Sequence, residues 1–199
     1  MALKSDFCQM IVEYFAIRME YGALLVYIKI FIHRGDFMEE VNLQEMLAAR
    51  ERRCYLQTQL LHQYKKSLIS FTLNIPGPVK VLTDVPEAFA SGCQRIETLL
   101  KDRLVLIQHM ETIKEKTGYE AFYSVDANPD FIKELMVSLE DQDRLGRLFD
   151  IDVLRPDGSK VSREDMGSAP RTCLLCGQPA HVCSRSRRHS VAELTAEIG

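Results

Sequence analysis

The stretch Phe149-Asp150-Ile151-Asp152-Val153 sets two carboxylates two residues apart among strand-forming residues. Side chains alternate along a strand, so Asp150 and Asp152 project from one face with Cα atoms about 6–7 Å apart. Phe149, Ile151 and Val153 then pack on the opposite face. Two carboxylates at that spacing can share a magnesium ion, which takes one or two carboxylates and fills its shell with water and phosphate oxygens. Such an ion neutralises a triphosphate and stabilises the charge that develops as a phosphorus group is transferred. The structural alternative is a half-exposed hairpin strand with solvated aspartates.

A second cluster lies near the end of the sequence, in RTCLLCGQPAHVCSRSRRH (residues 171–189). Cys173, Cys176, Cys183 and His189 read C-x2-C-x6-C-x5-H, and a C-x2-C knuckle followed by Gly177 is a common zinc half-site. His181 competes with His189 as fourth ligand. Two other readings stand beside structural zinc. His189 lies near Arg185, Arg187 and Arg188, where an imidazole and guanidinium groups can bind a triphosphate. Alternatively, the three cysteines are buried core residues beneath a basic turn. A catalytic cysteine is disfavoured, because the spacing places no base and no orienting group beside one.

The 199 residues suffice for one sizeable domain with an appendage. The net charge of −3 argues against a dedicated nucleic-acid-binding domain, which is usually basic. Residues 171–189 also contain no Phe, Tyr or Trp for base stacking. The local basic patches at residues 50–53 and 171–188 suit a phosphorylated small molecule or an acidic protein partner. Six cysteines without a secretory signal pattern fit free thiols in a reducing cytoplasm, the expected location.

Residues 1–37 are more apolar than the rest of the chain, but Glu13, Arg18, Glu20 and Lys29 interrupt them and no membrane span is expected. They read either as an added helix and strand or as an N-terminal extension from a misassigned start. Met38 opens a sequence resembling the beginning of a helical domain. The preceding Arg34-Gly35-Asp36 back-translates into a purine-rich stretch like a bacterial ribosome-binding site. Peptides from before Met38 in the native protein would exclude that start.

The elements that must position these groups follow from periodicity. Asn42 caps a helix whose stripe is Leu43, Met46, Leu47, Cys54, Leu61 and Tyr64. Residues 67–75 alternate as a strand that Pro76-Gly77-Pro78 stops, with Lys80 just beyond in reach of an anion. Thr83 or Asp84 caps a second helix with Pro86 in its first turn. Residues 104–113 and 119–125 are two strands, and Asn128-Pro129-Asp130 starts a helix to about Glu140. Residues 148–154 form a strand, RPDGS a turn, and residues 160–162 its hairpin return. The last ten residues before Gly199 are helical. Without a strict βαβ repeat the class is α+β: a single mixed domain with a small Cys/His/Arg-rich C-terminal element at 170–199. A Gly-Ser turn well upstream, as in polymerase-β-like transferases, is lacking; only Gly146 precedes Asp150, and it is too close.

Three stretches together, SLISFTLNIPGPVK (residues 67–80), RLGRLFDIDVL (144–154) and RTCLLCGQPAHVCSRSRRHSVAEL (171–194), closely resemble the citrate lyase holo-[acyl-carrier protein] synthase family, the phosphoribosyl-dephospho-CoA transferases often called CitX. LAARERR (residues 47–53) fits its N-terminal helix. The resemblance implies a transferase domain over residues 38–199. Its donor would be 2'-(5''-triphosphoribosyl)-3'-dephospho-CoA and its acceptor a serine of the apo acyl-carrier (gamma) subunit of citrate lyase, with diphosphate released. On that reading Asp150 and Asp152 hold Mg2+. Arg147, with Lys80, Arg185, Arg187, Arg188 and His189, handles phosphates. Arg50, Arg52 and Arg53 offer a docking face to an acidic carrier, and Cys173, Cys176, Cys183 and His189 are the ligands of a structural Zn2+. Two rivals are the corresponding transferase of malonate decarboxylase and a non-enzymatic zinc-dependent interaction module.

Overall fold

The structure, a computed structural model, describes residues 39–198. The expected extension at 1–37 and the expected start at Met38 lie outside the described residues.

The chain enters through helix α1 (Leu43–Tyr64). Asn42, extended at φ −82° and ψ 171°, accepts the Glu45 N–H, and the Glu45 carboxylate accepts the Asn42 N–H. This reciprocal cap satisfies backbone donors that a helix start otherwise leaves unpaired. Lys65, left-handed at φ 51°, ends the helix. Next come β1 (Ser67–Leu73), α2 (Val85–Asp102), β2 (Leu106–Glu115), β3 (Gly118–Asp126), α3 (Pro129–Asp141) and β4 (Phe149–Leu154). The sheet order is β2-β3-β1-β4, and every pairing is antiparallel. The α+β expectation holds.

Helices α2 and α3 cover one face of the sheet. Phe71, Phe89, Ile96, Leu100, Tyr123, Ile132, Met136, Phe149 and Ile151 are buried there, each residue contributing roughly 1.5–3 kcal/mol by leaving water. The Phe71 ring stacks on Phe89 and meets Phe149 edge-on, both at 5.2 Å between centroids. Gly92 of α2 allows this approach, because a Cβ there would lie 2.3 Å from Phe71 Cζ.

Helix α1 covers part of the other face, where Leu60 and Leu61 pack on Leu68 and Phe122. The expected stripe is only partly right. Leu61 is buried, but Leu43, Leu47 and Cys54 are exposed. The helix instead turns polar side chains to the sheet: Arg53 donates to Glu120 through Nε and Nη2, and Gln57 donates to Ser70 Oγ at 3.0 Å. Sheet polarity, not leucine spacing, sets the inward side of its first half.

After β4 the RPDGS turn forms, with Arg155 N–H donating to Ser159 O. Its return is a single bridge between Leu154 and Lys160 and not the expected three-residue strand. The C-terminal element is a knuckle closed by a Thr172–Pro179 bridge, then α4 (Ala180–Ser186) and α5 (Val191–Ile198).

Candidate active site and metal centre

Strand β4 is the sheet edge next to β1, and its pattern is the expected one: Phe149, Ile151 and Val153 are buried, Asp150 and Asp152 are not. The register sets Asp150 opposite Thr72 and Asp152 opposite Ser70. On β1's other side Thr72 faces Glu120, so Asp150, Thr72 and Glu120 share one row across three strands. The Asp152 carboxylate pairs with Lys160 at 2.5 Å. Asp150 Oδ1 lies 3.9 Å from Arg171 Nη1. The Asp150 tip reaches solvent, with 53% of its side chain exposed, but its base is crowded. That desolvation first, and then the charge of Asp152, raises its carboxyl above the ordinary range.

The approach to β4 is shaped by Gly146, in a 3-10 turn (Gly146–Leu148). A Cβ there would lie 2.2 Å from Leu139 O, so only glycine lets the turn close against the end of α3. Arg147 then donates to Thr172 through Nη1 to Oγ1 (3.0 Å) and Nη2 to the carbonyl (2.6 Å), and Arg171 Nη2 donates back to Arg147 O at 2.9 Å. This exchange fastens the C-terminal knuckle beside β4.

Between the knuckle, α5 and the loop after β1 lies a cleft of about 620 Å³. Lys80, Arg147, Arg171, Arg187 and His189 border it, as do the apolar Ile75, Leu174, Val191 and Leu194. Lys80 Nζ donates to Ile75 O at 2.7 Å, and burial, then the nearby Arg50 charge, lowers its pKa. A second cleft, about 750 Å³, opens on the other side of Arg147 and Leu174. Arg185 and Arg188 are exposed and border neither cleft. Arg52 pairs with Glu115 at 2.9 Å and Arg53 with Glu120 at 2.7 Å, whereas Arg50 is exposed and has no ion pair among the described residues.

One donor atom each from Cys173, Cys176, Cys183 and His189 lies within 4.8 Å of every other. His189 Nε2 is 3.3 Å from Cys176 Sγ, and Cys176 Sγ is 3.5 Å from Cys183 Sγ. Ligand atoms at about 2.0–2.3 Å from a tetrahedral zinc stand roughly 3.5–3.8 Å apart, so these residues fit such an ion. Three thiols this close do not ionise independently. Burial and the hydrogen bonds to Cys176 and Cys173 push the Cys183 thiol up to about 11. Burial opposes ionisation of Cys173 too, yet the N–H groups of Leu175 and Cys176 outweigh it and hold that thiol below its ordinary value. The set can bind a metal, and His189, not His181, is placed with the cysteines.

Sequence reasoning passes over four side chains around the site. Arg171 belongs to the C-terminal motif but carries no feature there that assigns it a role, although it joins the aspartates to the cleft. Glu120 is 2% exposed and accepts two bonds from Arg53, and Lys133 and Glu140 of α3 are buried. The alternation of SLISFTL and GYEAFYSVD could have revealed Glu120, the one buried acid on an interior strand; nothing in α3 distinguishes buried charges from a solvated face.

A carboxylate pair next to a cationic cleft is the equipment of an enzyme that moves phosphorus-containing groups. Residues 41–199 match the family model described as apo-citrate lyase phosphoribosyl-dephospho-CoA transferase (CitX), and the chain belongs to that family, whose members are transferases acting on phosphorus-containing groups. It is 39% identical over 166 residues to a probable apo-citrate lyase phosphoribosyl-dephospho-CoA transferase of Streptococcus pyogenes serotype M18, covering 80% of this chain and 84% of that one. It is 36% identical to the corresponding probable transferase of Vibrio cholerae serotype O1, covering 83% and 93%. It is also 35% identical to Protein CitXG of Haemophilus influenzae, covering 80% of this chain and 34% of that one. Among the described residues no helix is long and apolar enough to cross a membrane.

Proposed function

We propose that residues 38–199 form a domain that transfers the 2'-(5''-phosphoribosyl)-3'-dephospho-CoA group from its 5''-triphosphate to a serine of the apo acyl-carrier (gamma) subunit of citrate lyase. The observation that carries the reading is Arg171, which touches the Asp150 carboxylate environment on one side and the cationic cleft on the other. The names of the relatives supply the class of donor and acceptor.

Asp150 and Asp152 would hold Mg2+, which when bound neutralises donor triphosphate charge. The protein's own groups do the rest. Lys80, Arg147, Arg171 and Arg187 pair with phosphate oxygens, with the exposed Arg185 and Arg188 adding positive field from outside the cleft. The apolar side of the cleft takes the uncharged parts of the dephospho-CoA moiety. The acceptor serine oxygen bonds to the phosphorus nearest the ribose, its proton passes to a carboxylate of the β4 pair or a base beside it, and the bond to diphosphate breaks. Arg50, with the paired Arg52 and Arg53, offers α1 to an acidic carrier. Cys173, Cys176, Cys183 and His189 hold Zn2+ as a staple and not as a catalytic ion, because four protein ligands leave no open position.

The test is the intact mass of the apo carrier after incubation with this protein, magnesium and the triphosphoribosyl donor. A gain equal to donor minus diphosphate, lost when the acceptor serine is replaced, is the expected result. No gain on the citrate lyase carrier with a verified donor and a folded protein, against a gain on the malonate decarboxylase carrier, would move the assignment to that substrate.

A further inference from the structure

We propose that Lys133 and Glu140 of α3 are positioning residues that set the Asp150–Asp152 pair by gripping the two peptide groups between the aspartates. The inference rests on the assignment of that pair to the transfer reaction.

An edge strand leaves alternate N–H and C=O groups facing away from its neighbour. On β4 the residue facing outward between the aspartates is Ile151. Its N–H, part of the peptide joining it to Asp150, donates to Glu140 Oε1 at 2.9 Å. Its carbonyl, part of the peptide joining it to Asp152, accepts from Lys133 Nζ at 2.7 Å. Both bonds are buried, with Lys133 5% and Glu140 2% exposed. The two residues are seven apart on the helix, about 10 Å along its axis, and their long side chains converge on one residue of the strand.

Covering an edge does not call for this. Neutral polar side chains or water would satisfy the two peptide groups, whereas buried charge is costly unless paired and hydrogen-bonded. Here the cost is offset by a network that leads to the site. Glu140 Oε2 accepts from Arg163 Nη2 at 2.5 Å, and Arg163 also pairs with Asp141. Glu140 Oε1 lies 3.9 Å from Arg171 Nη1, the same nitrogen that lies 3.9 Å from Asp150. One carboxylate thus holds the strand that presents the aspartates and stands behind the guanidinium at the mouth of the cleft. The positive charge of Lys133 is felt by Asp152 as well as by Glu140. A helix that served only to satisfy the edge could do so with neutral side chains; here both peptides flanking Ile151 are met by opposite charges.

Steady-state transfer to the apo carrier, with melting temperature measured alongside, tests this in the full-length protein. Lys133→Met and Glu140→Leu remove one grip each; Glu140→Gln keeps an oxygen acceptor for the Ile151 N–H while giving up the charge. A displacement of about 1 Å at a reacting group costs on the order of 10²-fold. We expect folded Lys133→Met and Glu140→Leu to lose between about 10- and 100-fold in kcat, to need more magnesium for half-maximal rate, and to keep the carrier KM. Glu140→Gln should recover most of kcat but raise the donor KM several-fold, because Arg171 loses its counter-charge. A purely structural role would lower the melting temperature and leave kcat per folded molecule and the magnesium requirement unchanged; that result overturns the proposal. If the two apolar variants do not fold, Glu140→Gln decides alone, and unchanged donor KM and kcat overturn it. Asp150→Asn separates the two levels: normal transfer by that variant overturns the carboxylate assignment and this inference together. An inactive Asp150→Asn beside a fully active Lys133→Met overturns only the inference.

Discussion

Strand β4 and the C-terminal element meet at the same site but are held by different forces. β4 buries Phe149, Ile151 and Val153 in the main core and is bonded along one edge to β1. The element from Arg171 to Ile198 buries only Cys173 and Cys183, and its longest helix has eight residues. Isolated helices of that length are marginal in water. The carboxylates therefore stand on a rigid strand, while the arginines and His189 stand on a segment that needs a cross-link. The Arg147–Thr172–Arg171 exchange supplies part of it. The cluster of three thiols and an imidazole supplies the rest once it holds an ion. On the proposed assignment one site combines metal chemistry on a packed scaffold with anion binding on a stapled one, and the two halves should fail in different ways.

The largest effect expected is on the packed half. Asp150→Asn with Asp152→Asn should reduce transfer on the order of 10³-fold, the scale lost when charge neutralisation and proton removal go together. The melting temperature should barely change, because both side chains reach solvent. Near-normal transfer by the folded double variant would end the carboxylate proposal.

The stapled half should behave oppositely. The purified protein should contain about one zinc per chain, and cobalt substitution should give the absorption of a tetrahedral thiolate site. Cys176→Ser or chelation should loosen the C-terminal element, seen as new protease cleavage between residues 171 and 198, and weaken donor binding more than it slows the bound reaction. Main-core unfolding should hardly move. A metal-free protein with full protease resistance and activity refutes the staple.

That contrast also explains how far the sequence can be read. The β4 carboxylates are legible because strand alternation needs no tertiary information, and FDIDV states its faces directly. The cysteine spacing is legible because metal ligands tolerate little variation in interval. Helix α4 is not: AHVCSRS has no apolar stripe, and its position depends on Cys183 joining the cluster. Half of α1's stripe misleads because Arg53 and Gln57 point inward to satisfy Glu120 and Ser70, acceptors that lie on other elements. Lys133 and Glu140 look like solvated charges for the same reason: burial of a charge is decided by a partner distant in sequence.

Gly146 lies where the two halves join, and its replacement sharpens the comparison on a stability scale. A Cβ at 2.2 Å from Leu139 O has only backbone to displace. Gly146→Ala should cost about 1–3 kcal/mol, as overpacking usually does. It should also shift Arg147, so donor KM should rise with the loss of stability. Chemical denaturation with parallel kinetics checks both; an Ala variant of wild-type stability would mean the turn moves freely away from α3.

The smallest effect expected is a pH dependence with an unusual sign. The Asp150 carboxyl is raised, first by desolvation and then by the Asp152 charge, so the folded state favours its protonated form relative to the unfolded chain. Its contribution is therefore fully present below the ordinary carboxylate range and lost as pH rises through the elevated folded value. Asp150→Asn keeps the neutral, protonated-like shape at every pH. Its melting temperature should equal the wild type's in acid and exceed it slightly near neutrality, even as activity disappears. The half-exposed side chain makes the difference small. If Asp150→Asn is instead destabilised near neutrality, the attraction to Arg171 outweighs desolvation and repulsion, and the aspartate is held in its charged form without any bound cation.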